Sequence, residues 1–445
     1  MQGAEIVIVG GGMVGAATAY HLAARRRARG VVLVEAGEPL GLTSAMGTEA
    51  YRHWWPDATM RAFIGRSIDL LEELADRSHN AFALGRQGYV FVTADPARAA
   101  ELRAEALAAA ARGEGPLREH PGASAHEPTP GPGWRAPPGL DLLDGDALRA
   151  AFPFLDPSAC AALHVRRCGF LDARALGTWL IDQAVRAGAR LVRDRVVGFE
   201  CPGGQLRGVR LSSGDSLPAG RVILAPGPHL GDALARLGVD LPVTCELHGK
   251  AHVLDAGRVV PRGSPLMVWS DPVTLPWDPA EAAALHDDPA RRRWLGPLPA
   301  GVHFRVRGDH LLLIWTFDAA TGPPVLPPRF DPDFAEVLIR GLARMIPAMN
   351  QYFGTGPSCR VDGGYYCKTP DNRPLIGALP IDGAFVVGAL SGYGIMGSQA
   401  AAELIAGLAL GEAPRDRHDA FAPARFDDPA YAASIDHEGA RRGQL

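Results

Sequence analysis

Lysine is almost absent from this chain. Only Lys250 and Lys368 occur among its 45 basic residues, and the others are arginine. Because arginine can supply a positive charge at most positions, a retained lysine is a candidate for chemistry that needs an amine. No run of basic residues is longer than the three arginines Arg25–Arg27, and 49 acidic residues bring the net charge to −4. Such a balance argues against a nucleic-acid partner, which would require a basic surface.

Long apolar runs and paired cysteine motifs are missing as well. No stretch approaches the ~20 apolar residues of a membrane-spanning helix, so we expect no membrane span. The six cysteines include no Cys-x-x-Cys pair, which favours reduced thiols and predicts neither a disulfide framework nor a metal site. A strand follows Met1 without an apolar leader. Together these features predict a cytoplasmic protein.

The remaining composition is that of a globular protein. Of 445 residues, 47% are hydrophobic and 21% are charged, which excludes a disordered or fibrous chain. At about 150 residues per domain, the length favours two or three domains, or one large domain with an insertion. Hydrolase, zinc-protease and kinase motifs do not occur.

The first residues predict a strand–helix–strand unit with a glycine-rich turn. In Gly10-x-Gly12-x-x-Gly15 the first glycine permits a tight turn, the second lets a pyrophosphate approach the backbone, and the third lets helix and strand pack closely. Glu35 ends the second strand, where its carboxylate can accept hydrogen bonds from a ribose diol. The unit therefore predicts an adenine dinucleotide, but it does not distinguish FAD from NAD. An ordinary glycine-rich turn is the alternative.

Further elements follow from hydrophobic spacing. The pattern predicts a helix over Met60–Leu74, a strand at Tyr89–Val92, a second α/β stretch from Leu171 to Leu230, a strand-rich region from Leu241 to Phe317 and a final helix over Gly397–Leu410. Residues 113–139 are rich in proline and glycine, and we expect a loop there. The tail beyond Gly411 is expected to be an exposed extension.

Two later segments carry a family resemblance. Thr369–Gly377 resembles the T-P-D-x-x-P-x-I-G signature of the D-amino-acid oxidase/sarcosine oxidase family of FAD enzymes, and Gly388–Met396 is similar to its G-x-S-G-H-G segment. The resemblance implies a mixed α/β fold in which a Rossmann-like FAD-binding domain is interleaved with an antiparallel-sheet substrate domain. The implied boundaries are 1–86, 141–241 and 360–415 for the FAD domain, 87–140 and 242–359 for the substrate domain, and 416–445 for a C-terminal extension.

The same resemblance, together with the glycine turn, assigns the cofactor. We expect FAD to contact Gly10, Gly12, Met13, Val14, Gly15, Glu35, Ala36, Thr43, Ser44, Val196, Ala225, Gly227, Gly392, Tyr393, Gly394, Ile395 and Met396. Sarcosine oxidases attach FAD through a cysteine at the position of Gly364, so we expect non-covalent FAD here. The turn at Gly392 begins the last helix, whose positive end suits the reduced flavin anion.

Candidate catalytic residues also come from the resemblance. Arg52 matches the arginine that binds a substrate carboxylate in sarcosine oxidases, and a surface or FAD-domain salt bridge is the alternative. His53 is expected beside the pocket. Tyr366 replaces the arginine of glycine oxidases, and Met396 replaces the lysine that shares the carboxylate in sarcosine oxidases. Since Leu311–Phe317 has no lysine to promote oxygen attack, that role falls to Lys250 or Lys368 if oxygen is the acceptor.

The expected function is oxidation of the C–N bond of an amine or amino acid by hydride transfer to flavin N5. The imine formed is then hydrolysed. Oxygen or another acceptor would take the electrons, and the protein would be a monomer or homodimer. Alternatives are an FAD-dependent 2-hydroxy-acid dehydrogenase, a flavin-binding subunit without its own substrate and, least favoured, an NAD-dependent dehydrogenase. The segment Thr274–Pro299 is expected to be a lid over an aromatic pocket, or else to expose its tryptophans at a dimer contact.

Overall fold

A computed structural model describes residues 4–122, 126–127, 133–412 and 418–435. Two large sheets, each with its own hydrophobic cores, account for most of these residues. None of the helices in these ranges combines the length and the apolar character that crossing a membrane requires. The mixed α/β class predicted from the sequence is confirmed.

The strands are numbered in chain order. They are β1 (Ala4–Val9), β2 (Val31–Glu35), β3 (Ala50–Arg52), β4 (Tyr89–Thr93), β5 (Leu117–His120), β6 (Leu140–Asp144), β7 (Ala161–Val165), β8 (Cys168–Phe170), β9 (Arg190–Arg193), β10 (Val196–Glu200), β11 (Gly208–Leu211), β12 (Ser216–Leu224), β13 (Thr244–Leu254), β14 (Leu266–Trp269), β15 (His303–Arg307), β16 (His310–Ile314), β17 (Ala320–Thr321), β18 (Arg360–Lys368), β19 (Leu375–Ala378) and β20 (Ala384–Gly388).

The α-helices are numbered in the same way. They are α1 (Met13–Tyr20), α2 (Thr43–Met46), α3 (Ala58–Arg77), α4 (Pro96–Ala111), α5 (Gly145–Ala151), α6 (Ala173–Arg186), α7 (Leu230–Arg236), α8 (Pro279–Asp287), α9 (Phe334–Ala343), α10 (Gly394–Ala409) and α11 (Pro429–Ala433). The predicted helix at Met60–Leu74 lies within α3. The last helix begins three residues earlier than predicted, at Gly394.

The first sheet has the strand order β10-β11-β12-β1-β2-β9, and β20 and β19 continue it beyond β12. The neighbours β9, β2, β1, β12 and β20 run parallel. Ile6 and Ile8 face one hydrophobic core, and Val7 faces another on the opposite side. Burial of both faces explains why β1 is an unbroken apolar run. The carboxyl ends of β1, β12 and β20 lie at one edge of the sheet.

The second sheet has the order β17-β13-β16-β15-β14-β4-β7-β6-β5, with β18 also paired to β13. It is mainly antiparallel, as predicted, but β4 pairs with β14 and β5 with β6 in parallel. The strands β6, β7 and β18 were predicted within the FAD domain, whereas they pair in this sheet. Their pairing depends on partners distant in sequence, which local patterns do not reveal. The domain boundaries themselves stay a prediction.

Two segments predicted as irregular or exposed are ordered in the structure. The expected loop at residues 113–139 contributes β5, although positions 123–125 and 128–132 lie outside the described residues. Part of the tail packs inward, since Phe421 is 4% and Arg425 is 8% exposed, whereas most residues from Asp427 to Ser434 are exposed. The expectation of an exposed extension is therefore wrong for residues 421–426. Phe421 joins the core beside α10, a contact that the charged composition of the tail conceals.

The segment Thr274–Pro299 is mostly at the surface, but Leu275, Leu285, Trp294 and Leu298 anchor it in the core of the second sheet. Trp294 is 2% exposed and packs in one cluster with Trp269 and Trp315. The indole of Trp277 donates to the carbonyl of Trp294 at 3.0 Å. Both expectations, a lid and an exposed dimer contact, are therefore wrong for Trp294. Its aromatic surface is buried inside the fold, where it stabilises the packing.

Candidate active site

A groove runs along the edge where β1, β12 and β20 end. We call it the glycine groove, because glycine turns from both ends of the chain line it. Crevices at the carboxyl ends of parallel strands are the usual ligand sites of such sheets. The predicted site residues that line the groove are Gly10, Gly12, Met13, Val14, Glu35, Thr43, Ser44, Ala225, Gly227, Tyr366, Gly392, Gly394 and Ile395.

The first glycine turn allows backbone contacts that no larger residue would permit. Gly10 has φ +108°, and a Cβ atom there would lie 2.4 Å from the carbonyl oxygen of Ala225. A Cβ atom at Gly15 would lie 1.9 Å from the carbonyl oxygen of Gly10. Gly12 precedes α1 and offers no side chain to cap it. The positive N-terminus of α1 therefore meets the groove and suits a pyrophosphate.

Glu35 lies where the glycine groove meets a second arm. Its carboxylate accepts hydrogen bonds from the backbone N–H groups of Gly11 at 2.6 Å and Gly37 at 2.8 Å. The second arm shares Gly10 and Glu35 with the first and is also lined by Ala36 and Val196. The two arms therefore bring the residues predicted for the adenosine half of the cofactor to one end of the groove.

Helix α2 bridges the start of α1 and β18 beside the groove. Ser44 Oγ accepts a hydrogen bond from the N–H group of Met13 at 3.0 Å, and Thr43 Oγ1 donates to the carbonyl of Tyr365 at 3.1 Å. Gly364 packs against this helix, since a Cβ atom there would lie 3.0 Å from Thr43 Cα. Little room is left for a side chain at position 364.

The second glycine turn forms the other end of the groove. Gly392 has φ +86°, and the preceding Ser391 also has a positive φ of 43°. A Cβ atom at Gly392 would lie 2.5 Å from Tyr366 Cε2. The 16-residue α10 begins at Gly394 without a side-chain cap. The N–H groups at its start are thus available to a ligand in the groove, and they carry a positive partial charge of roughly half a unit.

A buried polar network supports this turn from behind. The hydroxyl of Tyr393 donates to the carbonyl of Asn372 at 2.7 Å. Asp371 accepts from Arg425 Nε at 2.8 Å and from the Tyr431 hydroxyl at 2.7 Å. Burial acts to raise the pKa of Asp371, but Arg425 and Tyr431 hold it below its usual value. The T-P-D segment therefore ties the C-terminal tail to the start of α10.

Tyr366 brings a second polar cluster to the groove. Its ring stacks on the imidazole of His248, with the ring centroids 4.1 Å apart, and burial raises the pKa of Tyr366 to about 12. Glu246 accepts hydrogen bonds from His248 at 3.2 Å and from Lys368. The hydrogen bond from His248 lowers the pKa of Glu246 to about 2 despite its burial, with further help from Lys368. Glu246 is therefore ionised at neutral pH.

Arg52 lies behind the groove wall. It shares a face of β3 with Ala50, which lines the groove, because side chains alternate along a strand. The side chain is buried, and its guanidinium carbon lies 4.8 Å from the centroid of the Trp55 ring. Burial lowers the pKa of Arg52, although arginine stays protonated at any physiological pH. A buried cation on this strand suits an anionic ligand group.

Other predicted residues are placed away from the groove. His53 Nε2 faces Gly65 of α3, and burial lowers the pKa of His53 to about 4. Lys250 donates to the carbonyl of Met46 at 2.7 Å and to Asp362, and Lys368 pairs with Glu246. Met396 packs in the core. Neither Met396 nor the two lysines line the groove. Gly15 and the Tyr393 side chain lie behind the residues that line the groove, where Gly15 packs on Gly10 and Tyr393 bonds to Asn372.

Glu49 lines the groove but was not predicted from the sequence. It has a positive φ of 58° and is 5% exposed. Its carboxylate pairs with Arg305 and, at 3.3 Å, with Arg307. The Arg305 partner is 256 residues away in the chain, and no local pattern could have revealed the pair.

Comparisons with known proteins agree with this geometry. Residues 5–408 match the family described as FAD dependent oxidoreductase. The monomeric sarcosine oxidase of Streptomyces avermitilis is 25% identical over 424 residues, which cover 91% of this chain and 93% of that protein.

Solved structures share the fold. The L-proline dehydrogenase from P. horikoshii superposes with a TM-score of 0.72 at 20% identity, covering 96% of this chain and 98% of that one. The glycine oxidase from Geobacillus kaustophilus gives a TM-score of 0.70 at 19% identity, covering 94% and 97%. The resemblance predicted from the motifs is confirmed, and the chain belongs to the FAD-dependent oxidoreductase family.

Proposed function

We propose that this protein oxidises the C–N bond of a small amine or amino acid to an imine. The single observation that carries the proposal is that two glycine turns from opposite ends of the chain, one with Gly10 and Gly12 and the other with Gly392 and Gly394, line one groove. An extended dinucleotide needs two such ends, one for the pyrophosphate and one for the redox-active ring. Bound FAD would accept the hydride from the carbon next to nitrogen.

The residues present fit FAD along its length. The N-terminus of α1 would hold the pyrophosphate, Val196 and Ala36 would lie beside the adenosine, and Glu35 would bind the ribose. The start of α10 would stabilise negative charge on the reduced ring, because its free N–H groups are fixed before reaction. Tyr366 would fix the ring plane, since its own ring is held between Gly392 and His248.

A panel of substrates under anaerobic conditions tests the proposal. We expect an amine or amino acid to bleach the flavin absorbance, and a keto or aldehyde product to appear after hydrolysis of the imine. Bleaching by 2-hydroxy acids alone would contradict the proposal. A protein that binds flavin but is reduced by no amine would also contradict it. The electron acceptor is then identified by testing whether oxygen or an artificial dye reoxidises the reduced flavin and restores its absorbance.

We further propose that FAD is held without a covalent bond. Gly364 has no nucleophile, and the 3.0 Å approach to Thr43 Cα leaves little room for a side chain that would carry one. Cys367 lines the groove, so it is the thiol to exclude. Acid precipitation is expected to release all the flavin into the supernatant. A yellow pellet from the wild-type protein would contradict this prediction. A colourless pellet from Cys367→Ser would then identify Cys367 as the attachment site.

Arg52 is proposed to bind a substrate carboxylate. A charged hydrogen-bond pair contributes about 1.5–3 kcal/mol, so the wild-type kcat/KM for an amino acid should exceed that for the matching amine by about 10- to 150-fold. Arg52→Gln should remove this preference by raising KM for the amino acid while leaving KM for the amine unchanged. Thermal unfolding of the variant serves as the control for lost packing on Trp55. Preference retained in Arg52→Gln would assign the carboxylate to another residue.

A further inference from the structure

A second cleft lies on the opposite side of α2 from the glycine groove. Ala45 and Met46 line this cleft, whereas Thr43 and Ser44 line the groove, and the two sites share no lining residue. The cleft extends between α2, α6 and the strands β13, β16 and β18. Its volume is about 920 Å³, which is typical of a site for a small molecule. We call it the basic cleft.

The lining of the basic cleft carries an excess of positive charge. Among the described residues that line it, Asp362 is the only carboxylate. Its basic side chains come from one helix and four strands, so they surround the cleft and do not form a single row. They are Arg174, Lys250, His252, Arg307, His310 and Arg360.

The carboxylates within reach do not neutralise these cations. Asp362 is shared by Lys250, by His252 at 3.0 Å and by Arg360 at 2.8 Å. Glu49, which pairs with Arg307, is already engaged by Arg305. One carboxylate thus serves two permanent cations and a histidine, and another serves two arginines.

Arg174 adds a positive charge at the mouth of the cleft, although Asp172 and Asp182 lie beside it on the outer surface of α6. It is exposed near the start of α6, and within the ranges that the structure describes it forms no ion pair. A concave surface with more cations than carboxylates has a positive electrostatic potential, and the low dielectric constant of its walls strengthens that potential inside the cleft. Lys250 is held rigidly, because its ammonium group also donates to the carbonyl of Met46 at 2.7 Å. A fixed positive site therefore exists before any ligand arrives.

We propose that the basic cleft binds a small polyanion that carries two or more carboxylate or phosphate groups. Arg174 and Arg360 would each bind one anionic group with their planar guanidinium forks. Lys250 and Arg307 would supply the charge between them. The hydroxyl groups of Thr355 and Ser358 at the same cleft donate to the backbone carbonyls of Tyr352 and Thr355, so their oxygens can accept hydrogen bonds from hydroxyl groups of the bound molecule. This inference does not depend on the reaction proposed for the glycine groove.

Calorimetric titration of the full-length, flavin-loaded protein tests the proposal. Citrate and succinate form one arm, and inorganic phosphate and pyrophosphate form the other, so the class that binds identifies the anionic group. The test variant is Arg174→Gln with Arg360→Gln, both exposed positions. The matched control is Arg186→Gln with Arg221→Gln, which removes two exposed positive charges outside the cleft.

We expect saturable binding at one site in at least one arm. The Kd should rise at least about 10-fold in the cleft variant, as the loss of a charged hydrogen-bond pair requires, and should change less than about twofold in the control. Equal losses in both variants would mean non-specific attraction and overturn the proposal. Binding abolished by Arg52→Gln would place the anion in the glycine groove and overturn it as well. No saturable binding in either arm would also overturn it.

Discussion

Gly15→Ala is expected to yield a protein that no longer retains FAD. The new Cβ atom would lie 1.9 Å from the carbonyl oxygen of Gly10, far inside contact distance, and the atom it meets belongs to the backbone. Helix α1 must therefore move away from the turn, which displaces its N-terminus from the pyrophosphate. Overpacking of this kind costs about 1–3 kcal/mol or more, so FAD affinity should fall by at least about 10- to 100-fold.

The experiment compares flavin content and FAD affinity after reconstitution of the apoprotein. Gly231→Ala is the matched control, because Gly231 lies in α7 and a Cβ atom there meets nothing within 4 Å. That control should keep its flavin and gain slightly in stability, since alanine favours helix over glycine by about 1 kcal/mol. A Gly15→Ala protein that binds FAD as tightly as the control would show that the turn does not hold the cofactor.

Arg425→Met is expected to destabilise the fold by about 3–5 kcal/mol. Arg425 and Asp371 have side chains only 4% and 7% exposed, and loss of Arg425 leaves the buried Asp371 carboxylate without its ion-pair partner. The same loop holds Tyr393 through the carbonyl of Asn372, so flavin should be released earlier during unfolding. Urea unfolding, followed by tryptophan and by flavin fluorescence, measures both effects.

Two further variants make this second prediction specific. Arg103→Met removes the same group from an ion pair whose side chains are about half exposed, so solvent screens the pair and its loss should leave stability nearly unchanged. The double variant Asp371→Asn, Arg425→Met removes both charges and should recover much of the lost stability. If Arg425→Met behaves like Arg103→Met, the network does not stabilise the turn.

The pH dependence has a definite sign. The folded-state pKa of Asp371 is lowered, so its pair with Arg425 stabilises the protein fully above the unfolded pKa of about 3.9 and is lost as pH falls towards the folded value. In Arg425→Met, burial favours the protonated form of Asp371, and only hydrogen bonds such as that from Tyr431 still oppose it. The stability difference between variant and wild type should therefore be largest at neutral pH and shrink in acid.

Local patterns predicted the elements whose contacts are also local. The unit β1–α1–β2 appeared as expected, because a buried parallel strand needs an apolar run and a helix packed on it needs glycine at close approaches. Residues predicted for both cofactor halves line the glycine groove or its second arm, since each belongs to a short motif at the end of a strand. These motifs also indicated the family, which the comparisons confirmed.

Errors occurred where polarity or aromaticity was interpreted without knowledge of the partner. Arg425 is typical of an exposed tail in the sequence, but in the structure it is buried and forms an ion pair with Asp371. Trp294 seemed suited to a lid, yet it fills the core of the second sheet. Lys250 and Lys368 were selected for their rarity; each pairs with a carboxylate more than 100 residues away in sequence, and a role for either in the reaction stays a prediction.

The sequence by itself determined the dinucleotide unit, the mixed α/β class and the two glycine turns, because steric limits on φ and on close packing act within a few residues. Only the tertiary structure decided which charges lie together. The Glu49–Arg305 pair, the Asp371–Arg425 pair and the basic cleft each join segments from distant parts of the chain. A Coulomb interaction depends on separation in space and on burial, and neither quantity can be read from the order of residues.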